Sequence, residues 1–183
     1  NQNNILQRCI VSGEYKPTEV VQSISPSMDI QVASNFERIL FYLCDENSEN
    51  LSKLMNELKS KGHFKLSNKQ LENLKDYFSA SSCNESETLE IIKNIHSKFN
   101  YLIDPHTATS VKPLLDDKYK EESCFCFETA HPSKFPTAIL KAINQKPQFP
   151  KNFKTVENKK ESYDVLDNNI EKVKKFIFDK IEI

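Results

Sequence analysis

Glycine is scarce in this sequence: only two of its 183 residues are glycine, whereas an average protein contains about 7%. Loops that wrap a phosphate with successive backbone N–H groups depend on several glycines, so this stretch forms neither a Walker loop nor a dinucleotide-binding loop. An excess charge of either sign is also absent, because 25 Lys and Arg face 26 Asp and Glu and give a net charge of -1. Composition therefore argues against a nucleic-acid-binding protein.

The sequence has no long apolar run, and its mean hydropathy is -0.59. Crossing a bilayer takes ~20 apolar residues, so we expect a soluble, cytoplasmic protein without a membrane partner. Five scattered cysteines predict reduced thiols rather than a disulfide framework. Cys124 and Cys126 could be combined with His106 and His131 into a zinc site, but C-x-C lacks the paired C-x-x-C spacing. No metal is predicted, and both cysteines are expected to be small buried side chains.

Apolar residues recur at helical spacing through most of the chain and predict a helix-rich fold. Gly62 suits the end of the second predicted helix, and Pro113 is expected to stop or kink the fifth near Lys112. The predicted helices follow Ser25-Pro26-Ser27, run from about Ser48 to Lys61, follow Ser67, follow Asn84 or Ser86, open at Asp104-Pro105 and follow Pro132.

Two short segments, Tyr77 to Ala80 and Cys124 to Phe127, read as strands. Predicted strands that alternate with helices indicate the α/β class. The sequence has too few predicted strands to form a complete sheet. At roughly 150 residues per domain, the length predicts one domain or an incomplete piece of a larger one, here incomplete at its amino end. Residues 146–160 are predicted to be a surface connection, and 161–183 a terminal amphipathic helix that docks as a lid or tail.

The first two of four polar clusters lie before and within the first predicted helix. Ser25 to Ile30 places two hydroxyls and a carboxylate at a helix entrance, where backbone N–H groups favour anions; an ordinary N-cap explains the same pattern more simply. In the second cluster Asn35 and Arg38 are three residues apart and share a helix face. Arg38 could bind a phosphate or carboxylate through two hydrogen bonds. The interpretation that this cluster is only a solvated helix face is equally well supported.

The third and fourth clusters combine histidine with hydroxyls. DPHTA, from Asp104 to Ala108, opens a helix; Asp104 suits the N-cap, which leaves His106 as a candidate proton carrier. TAHPSKF, from Thr129 to Phe135, follows a predicted strand at its carboxyl end, where open α/β sheets place ligands. A core or capping role for His131 stays open. Clusters two, three and four are predicted to share one pocket.

In this order, the motifs SPSMDIQVASNFERILF (Ser25 to Phe41), DPHTA and TAHPSKF resemble the carboxyl-terminal half of threonine synthase. The stretch from Asn3 to Tyr15 is similar to the one that follows the glycine-rich phosphate loop in that family. The resemblance covers nearly the whole chain. It implies a pyridoxal 5'-phosphate (PLP) enzyme of the tryptophan-synthase-β type (fold type II), a carbon–oxygen lyase. Such an enzyme converts O-phospho-L-homoserine and water to L-threonine and phosphate by γ-elimination and β-addition of water.

The resemblance also implies site residues. Thr129 matches the family position whose hydroxyl meets the pyridine nitrogen of PLP, which makes the ring a tempered electron sink. The family's Schiff-base lysine and glycine-rich loop are expected upstream of Asn1 in the same polypeptide, so this segment alone is predicted inactive. The substrate-pocket candidates are Ser27, Asp29, Asn35, Arg38, His106, His131 and Lys134.

Three residues depart from the family pattern: Ser110 and Ser133 stand where glycine and alanine are usual, and Glu128 places a charge directly before Thr129. A carboxylate beside the pyridine site would change its protonation unless strand alternation points it outward. Two alternative hypotheses compete with the enzyme hypothesis. One is an inactive remnant that binds a partner or a small anion, and the other is a generic α/β scaffold without a site. An upstream lysine and glycine loop would distinguish the enzyme from the remnant.

Overall fold

The computed structural model describes residues 1–115, 123–153 and 159–181. The two-residue strands β1 (Glu14–Tyr15) and β2 (Phe64–Lys65) pair antiparallel. A helix-rich chain with few strands is therefore confirmed. Within the described ranges the helices are α1 Ile5–Ser12, α2 Phe36–Leu43, α3 Ser48–Lys61, α4 Asn68–Tyr77, α5 Glu85–Phe99, α6 Pro105–Val111, α7 Pro136–Ile143 and α8 Ile170–Ile181.

Local sequence signals set the bounds of four helices as predicted. Ser67 and Asn84 each form a capping box with the glutamine or glutamate three residues on, at the starts of α4 and α5. Asp104 caps α6 through its side chain, and α6 passes into a 3-10 turn at Lys112 because a proline follows. Gly62 ends α3 in the left-handed conformation. Each of these helix ends depends on side chains within about one helical turn of it, so it can be predicted from the local sequence.

Two apolar cores form within residues 1–148, the larger of two compact units. In the first, the Tyr15 ring lies between Phe36 and Phe64, with centroid distances of 5.8 and 4.9 Å, and Ile5 and Leu40 complete its centre. The second core joins α5, α6 and α7; its buried residues are Cys83, Ile91, Ile92, Ile103, Ala108 and Ile139. Phe36 of the first motif belongs to the first core, and Ala108 of the DPHTA motif belongs to the second.

Both predicted strands are wrong. Tyr77 is the last residue of α4, and Cys124 to Phe127 has no regular secondary structure and pairs with no strand in the described chain. Phe125 and Phe127 are 90% and 81% exposed, and the expected buried pair Cys124 and Cys126 is exposed too, as free thiols. An apolar run becomes a strand only where a neighbour supplies hydrogen bonds and a face to pack on.

Residues 149–183 form a second unit. It contains a 3-10 turn at Lys151–Phe153 and α8, which begins at Ile170 rather than at 161. Asn169 starts α8 by accepting the N–H groups of Glu171 and Lys172 at 3.0 and 3.1 Å. Part of the predicted surface connection, 154–158, lies outside the described residues. No helix in the described ranges is long and apolar enough to cross a membrane.

The two glycines of the chain allow a matched test of packing. Both follow a helix and have φ of +78°, so alanine at either position costs about 1–2 kcal/mol of backbone strain. A Cβ at Gly13 would lie 3.2 Å from Leu71 Cδ2, whereas one at Gly62 would meet nothing within 4 Å. We expect Gly13→Ala to lower the free energy of unfolding by about 1–3 kcal/mol more than Gly62→Ala does. Urea denaturation followed by circular dichroism measures both, and equal losses would contradict the crowding at Leu71.

Candidate functional site

The site is organised around Asp104, whose side chain is fully buried at the start of α6. Its carboxylate accepts the backbone N–H groups of His106 at 2.9 Å and Thr107 at 3.2 Å. It also accepts the Thr107 hydroxyl, and its Oδ1 lies 2.7 Å from His106 Nδ1. A buried carboxylate is tolerated only when donors surround it, so these bonds fix the geometry of the DPHTA motif.

His106 connects three parts of the chain. Its Nε2 accepts the backbone N–H of Ser27 at 3.2 Å, and its ring packs on Phe135 with centroids 4.7 Å apart. The first, third and fourth clusters are thus in contact. Within the described chain both ring nitrogens of His106 are therefore engaged, and its role as a proton carrier stays a prediction.

The Ser25 to Ile30 segment does not begin a helix. It forms a 3-10 turn at Pro26–Met28, and α2 starts only at Phe36. Ser25 occupies the capping position of the turn but makes no side-chain cap bond. Its hydroxyl instead accepts the Asn1 side-chain amide at 2.9 Å. The simple N-cap interpretation of this cluster is therefore wrong, because the hydroxyl is used in tertiary structure.

Asp29 is the centre of a second polar network. Its carboxylate accepts the side-chain amides of Asn1 and Asn3 at 2.7 and 3.0 Å, and the hydroxyl and N–H of Ser23 at 2.7 and 2.8 Å. Burial by itself would raise the pKa of Asp29, but the bonds from Ser23, Asn1 and Asn3 outweigh it and the pKa is lowered. Sequence reasoning missed Asn1, Asn3 and Ser23; the only signal was an asparagine-rich opening.

A cavity of about 390 Å³ lies beside these networks. The 25–33 segment contributes Ser27 and Met28, α6 contributes Thr109 and Ser110, and the start of α1 supplies amides and apolar groups. Among the described residues, every lining side chain is an amide, a hydroxyl, a thiol or an apolar group. The cavity thus offers neutral hydrogen-bonding groups, and Ser27 is the one predicted candidate that lines it.

The second cluster lies apart from the others. Asn35 and Arg38 are exposed on α2, and Arg38 borders a separate open cavity of about 460 Å³ with Glu37 and Tyr42. No described contact joins them to His106. The predicted single pocket is therefore not formed by the described residues: clusters three and four touch through the His106 and Phe135 rings, and neither contributes a predicted candidate to the 390 Å³ cavity. In the described chain the Arg38 guanidinium makes no hydrogen bond, which leaves its fork of donors available.

Thr129, the first residue of the fourth motif, is exposed in a segment without regular secondary structure, and its hydroxyl has no hydrogen bond to any described residue. The neighbouring Glu128 carboxylate accepts the Tyr101 hydroxyl at 2.5 Å. This hydrogen bond, together with the carboxylate charge, raises the pKa of Tyr101. Glu128 is thus engaged by Tyr101.

His131 confirms the capping alternative. It precedes the 3-10 turn Pro132–Lys134, and its Nδ1 accepts the N–H of Ser133 at 3.2 Å while lying 2.7 Å from the Ser133 hydroxyl. Lys134 is exposed at the end of this turn. Within the described ranges, no group of three or more His, Cys, Asp and Glu is arranged to hold a metal ion.

Comparisons with known proteins agree on one family. The family model for the carboxyl-terminal part of threonine synthase matches residues 107–177. The threonine synthase of Pseudomonas aeruginosa is 32% identical over 179 residues, which cover 97% of this chain and 38% of that protein. A PLP-bound threonine synthase structure from Brucella melitensis superposes with a TM-score of 0.84 at 38% identity, covering 97% of this chain and 38% of that one. The yeast threonine synthase structure gives 0.84 at 29% identity, covering 100% and 41%.

The fold is therefore that of a segment of a PLP-type α/β enzyme. The chain corresponds to the carboxyl-terminal part of the threonine synthase family. It spans about two fifths of the length of the relatives that it matches over its whole length. The motif resemblance is confirmed at the level of family and fold.

The Asp29 network predicts a dependence on pH. Because the pKa of Asp29 is lowered by folding, its carboxylate stabilises the fold above its ordinary pKa of about 3.9, and this contribution is lost as the pH falls through the lowered pKa. We expect Asp29→Asn to cost about 1–3 kcal/mol at pH 7 and to flatten the loss of stability below about pH 4.

Urea denaturation at several pH values measures this effect. Glu72→Gln is the matched control, because Glu72 is an exposed carboxylate on α4 without a hydrogen bond to any described residue. If Asp29→Asn and Glu72→Gln show the same pH profile, the network around Asp29 does not act as described.

Proposed function

We propose that the complete protein is a threonine synthase, a PLP-dependent carbon–oxygen lyase. It converts O-phospho-L-homoserine and water to L-threonine and phosphate, and this chain supplies its carboxyl-terminal part. The proposal is carried by one observation: the similarity to threonine synthases, including a PLP-bound structure, extends over 97% of the chain. In this proposal the enzyme acts in amino-acid biosynthesis in the cytoplasm.

The chemistry of the described residues suits the part of PLP that we propose they contact, the pyridine nitrogen. When bound, PLP supplies an electron sink that stabilises negative charge on substrate carbons. Thr129 is the residue we place at the pyridine nitrogen, and it presents a neutral hydroxyl with no other partner in the described chain. A neutral hydroxyl does not force that nitrogen to be protonated, as a carboxylate would. Glu128 is held by Tyr101, which supports this assignment.

The substrate carries a phosphate, and two exposed cations are candidates to bind it. Arg38 offers a planar fork of donors that matches a phosphate, and Lys134 offers a point charge in the turn after His131. Ser27, Asp29, His106 and His131 are the further pocket candidates that we propose, with Asp29 and His106 as organising groups. Asn35 stays a candidate together with Arg38 in the separate second cluster. The Schiff-base lysine and the glycine-rich phosphate loop belong, in this proposal, to the rest of the polypeptide, so the 183-residue chain is inactive alone.

The direct test is the reaction itself. The complete protein, loaded with PLP and given O-phospho-L-homoserine, should release threonine and phosphate in equal amounts, measured by chromatography and a phosphate assay. A folded, PLP-loaded protein that forms no threonine would support the alternative hypothesis of an inactive remnant instead.

Thr129→Val tests the cofactor contact. The variant should still bind PLP, judged by its visible absorbance, but lose a hydrogen bond of about 1 kcal/mol and turn over about fivefold more slowly. Thr129→Ser keeps the hydroxyl and should restore most of the rate. Thr137→Val, an exposed threonine on α7, is the matched control. Equal rates for Thr129→Val and the control would remove Thr129 from the site.

Arg38→Ala and Lys134→Ala test the phosphate contacts. Loss of a hydrogen bond to a charged group costs about 1.5–3 kcal/mol, so the variant that removes a phosphate partner should raise KM for O-phospho-L-homoserine by roughly 10- to 100-fold. Lys141→Ala, an exposed lysine on α7, is the control for a general loss of positive charge. An unchanged KM counts against the residue concerned.

A further inference from the structure

The 3-10 turn Pro26–Met28 leaves one backbone donor that its own residues do not satisfy. The N–H groups of Met28 and Asp29 donate to the carbonyls of Ser25 and Pro26 at 2.9 and 3.1 Å, and Pro26 has no N–H. The N–H of Ser27 is the remaining orphan at the start of the turn. Ser25 would ordinarily cap it, but the Ser25 hydroxyl bonds to Asn1 instead.

The acceptor for this orphan comes from a residue 79 positions away in sequence. His106 Nε2, on the first turn of α6, accepts the Ser27 N–H at 3.2 Å. A backbone N–H can only donate, so Nε2 must present its lone pair and carry no hydrogen.

Asp104 determines that state of the ring. Its Oδ1 lies 2.7 Å from His106 Nδ1, and an ionised carboxylate can only accept, so Nδ1 carries the hydrogen. The carboxylate cannot turn away easily, because it also accepts the N–H and hydroxyl of Thr107. Phe135 packs on the imidazole and fixes its plane. One tautomer of His106 is thereby selected, with a donor at Nδ1 and an acceptor at Nε2.

We propose that Asp104 and His106 form a clamp that holds the Ser25–Asp29 turn against α6, with His106 as a positioning residue that acts through its neutral Nδ1–H tautomer. The turn contributes Ser27 and Met28 to the wall of the 390 Å³ cavity. The clamp therefore sets the position of that wall. Its effect on substrate binding rests on the function proposed above, whereas the clamp itself does not.

Two substitutions of His106 separate its two hydrogen bonds. Asparagine places its amide near the position of Nδ1, so His106→Asn keeps a donor for Asp104 but does not reach Ser27. Glutamine places its carbonyl near the position of Nε2, so His106→Gln keeps an acceptor for Ser27 and loses the donor for Asp104. Comparison of the two variants tests the acceptor function apart from the loss of the imidazole ring.

Hydrogen exchange of the Ser27 amide in the complete protein is the readout, measured by mass spectrometry with fragmentation to single residues. His106→Asn should speed this exchange by on the order of tenfold, and His106→Gln should stay within about twofold of the wild type. The Ile91 and Ile92 amides of α5 serve as the internal reference for global stability. Equal exchange in the wild type and His106→Asn, or equal acceleration in both variants, would overturn the clamp.

The tautomer itself is tested without any variant. Nitrogen-15 NMR of histidine-labelled wild-type protein distinguishes the two neutral tautomers, and we expect hydrogen on Nδ1 of His106. Hydrogen on Nε2 would overturn the proposal even if both variants failed to fold.

Kinetics test the link to the reaction. His106→Asn should raise KM for O-phospho-L-homoserine several-fold with a smaller change in kcat, and His106→Gln should restore KM. If the wild-type protein forms no threonine, the proposed function fails while the exchange result still decides the clamp. If the wild type is active and both variants share one KM, the clamp does not set the cavity wall used by the substrate.

Discussion

The buried carboxylate of Asp104 is the interaction on which the site depends. A charge without solvent is costly unless donors surround it, and here the backbone, a hydroxyl and an imidazole supply them. Because the same bonds cap α6 and orient His106, the helix start and the ring are fixed together. His106 then reaches Ser27 in one direction and Phe135 in the other. Three motifs far apart in sequence meet through one side chain.

Two carboxylates act at opposite ends of the same turn. Asp29 gathers amide and hydroxyl donors from Asn1, Asn3 and Ser23, while Asp104 acts on the turn through His106. Ser27 and Met28 of this turn line a cavity that has no basic side chain among its described lining residues. A phosphate ester needs cationic donors or a cluster of backbone N–H groups. Our proposal takes these groups from Arg38, from Lys134 or from the rest of the polypeptide, since the chain spans about two fifths of the length of its relatives.

Features set by residues close together in sequence can be predicted from the sequence, whereas features set by contacts between distant residues cannot. The caps at Ser67 and Asn84 act within four residues, so their helices were predicted with the right starts. Helix α1, the β1–β2 pair and the donors around Asp29 were missed, because each depends on contacts with distant parts of the chain. The predicted strand at 124–127 failed for the same reason: its alternation of cysteine and phenylalanine is real, but strand formation depends on a neighbour. The motif resemblance drew attention to His106 without showing which groups its ring nitrogens contact.

His106 and His131 looked alike in sequence, each in a short motif beside a proline and a hydroxyl. Burial separates them: His106 is 7% exposed with both ring nitrogens bonded, whereas His131 is exposed and uses only Nδ1 within the described chain. A histidine moves a proton only through a nitrogen that is free to gain or lose it. In the described chain both ring nitrogens of His106 are thus engaged in holding the structure, whereas His131 keeps one ring nitrogen without a described partner.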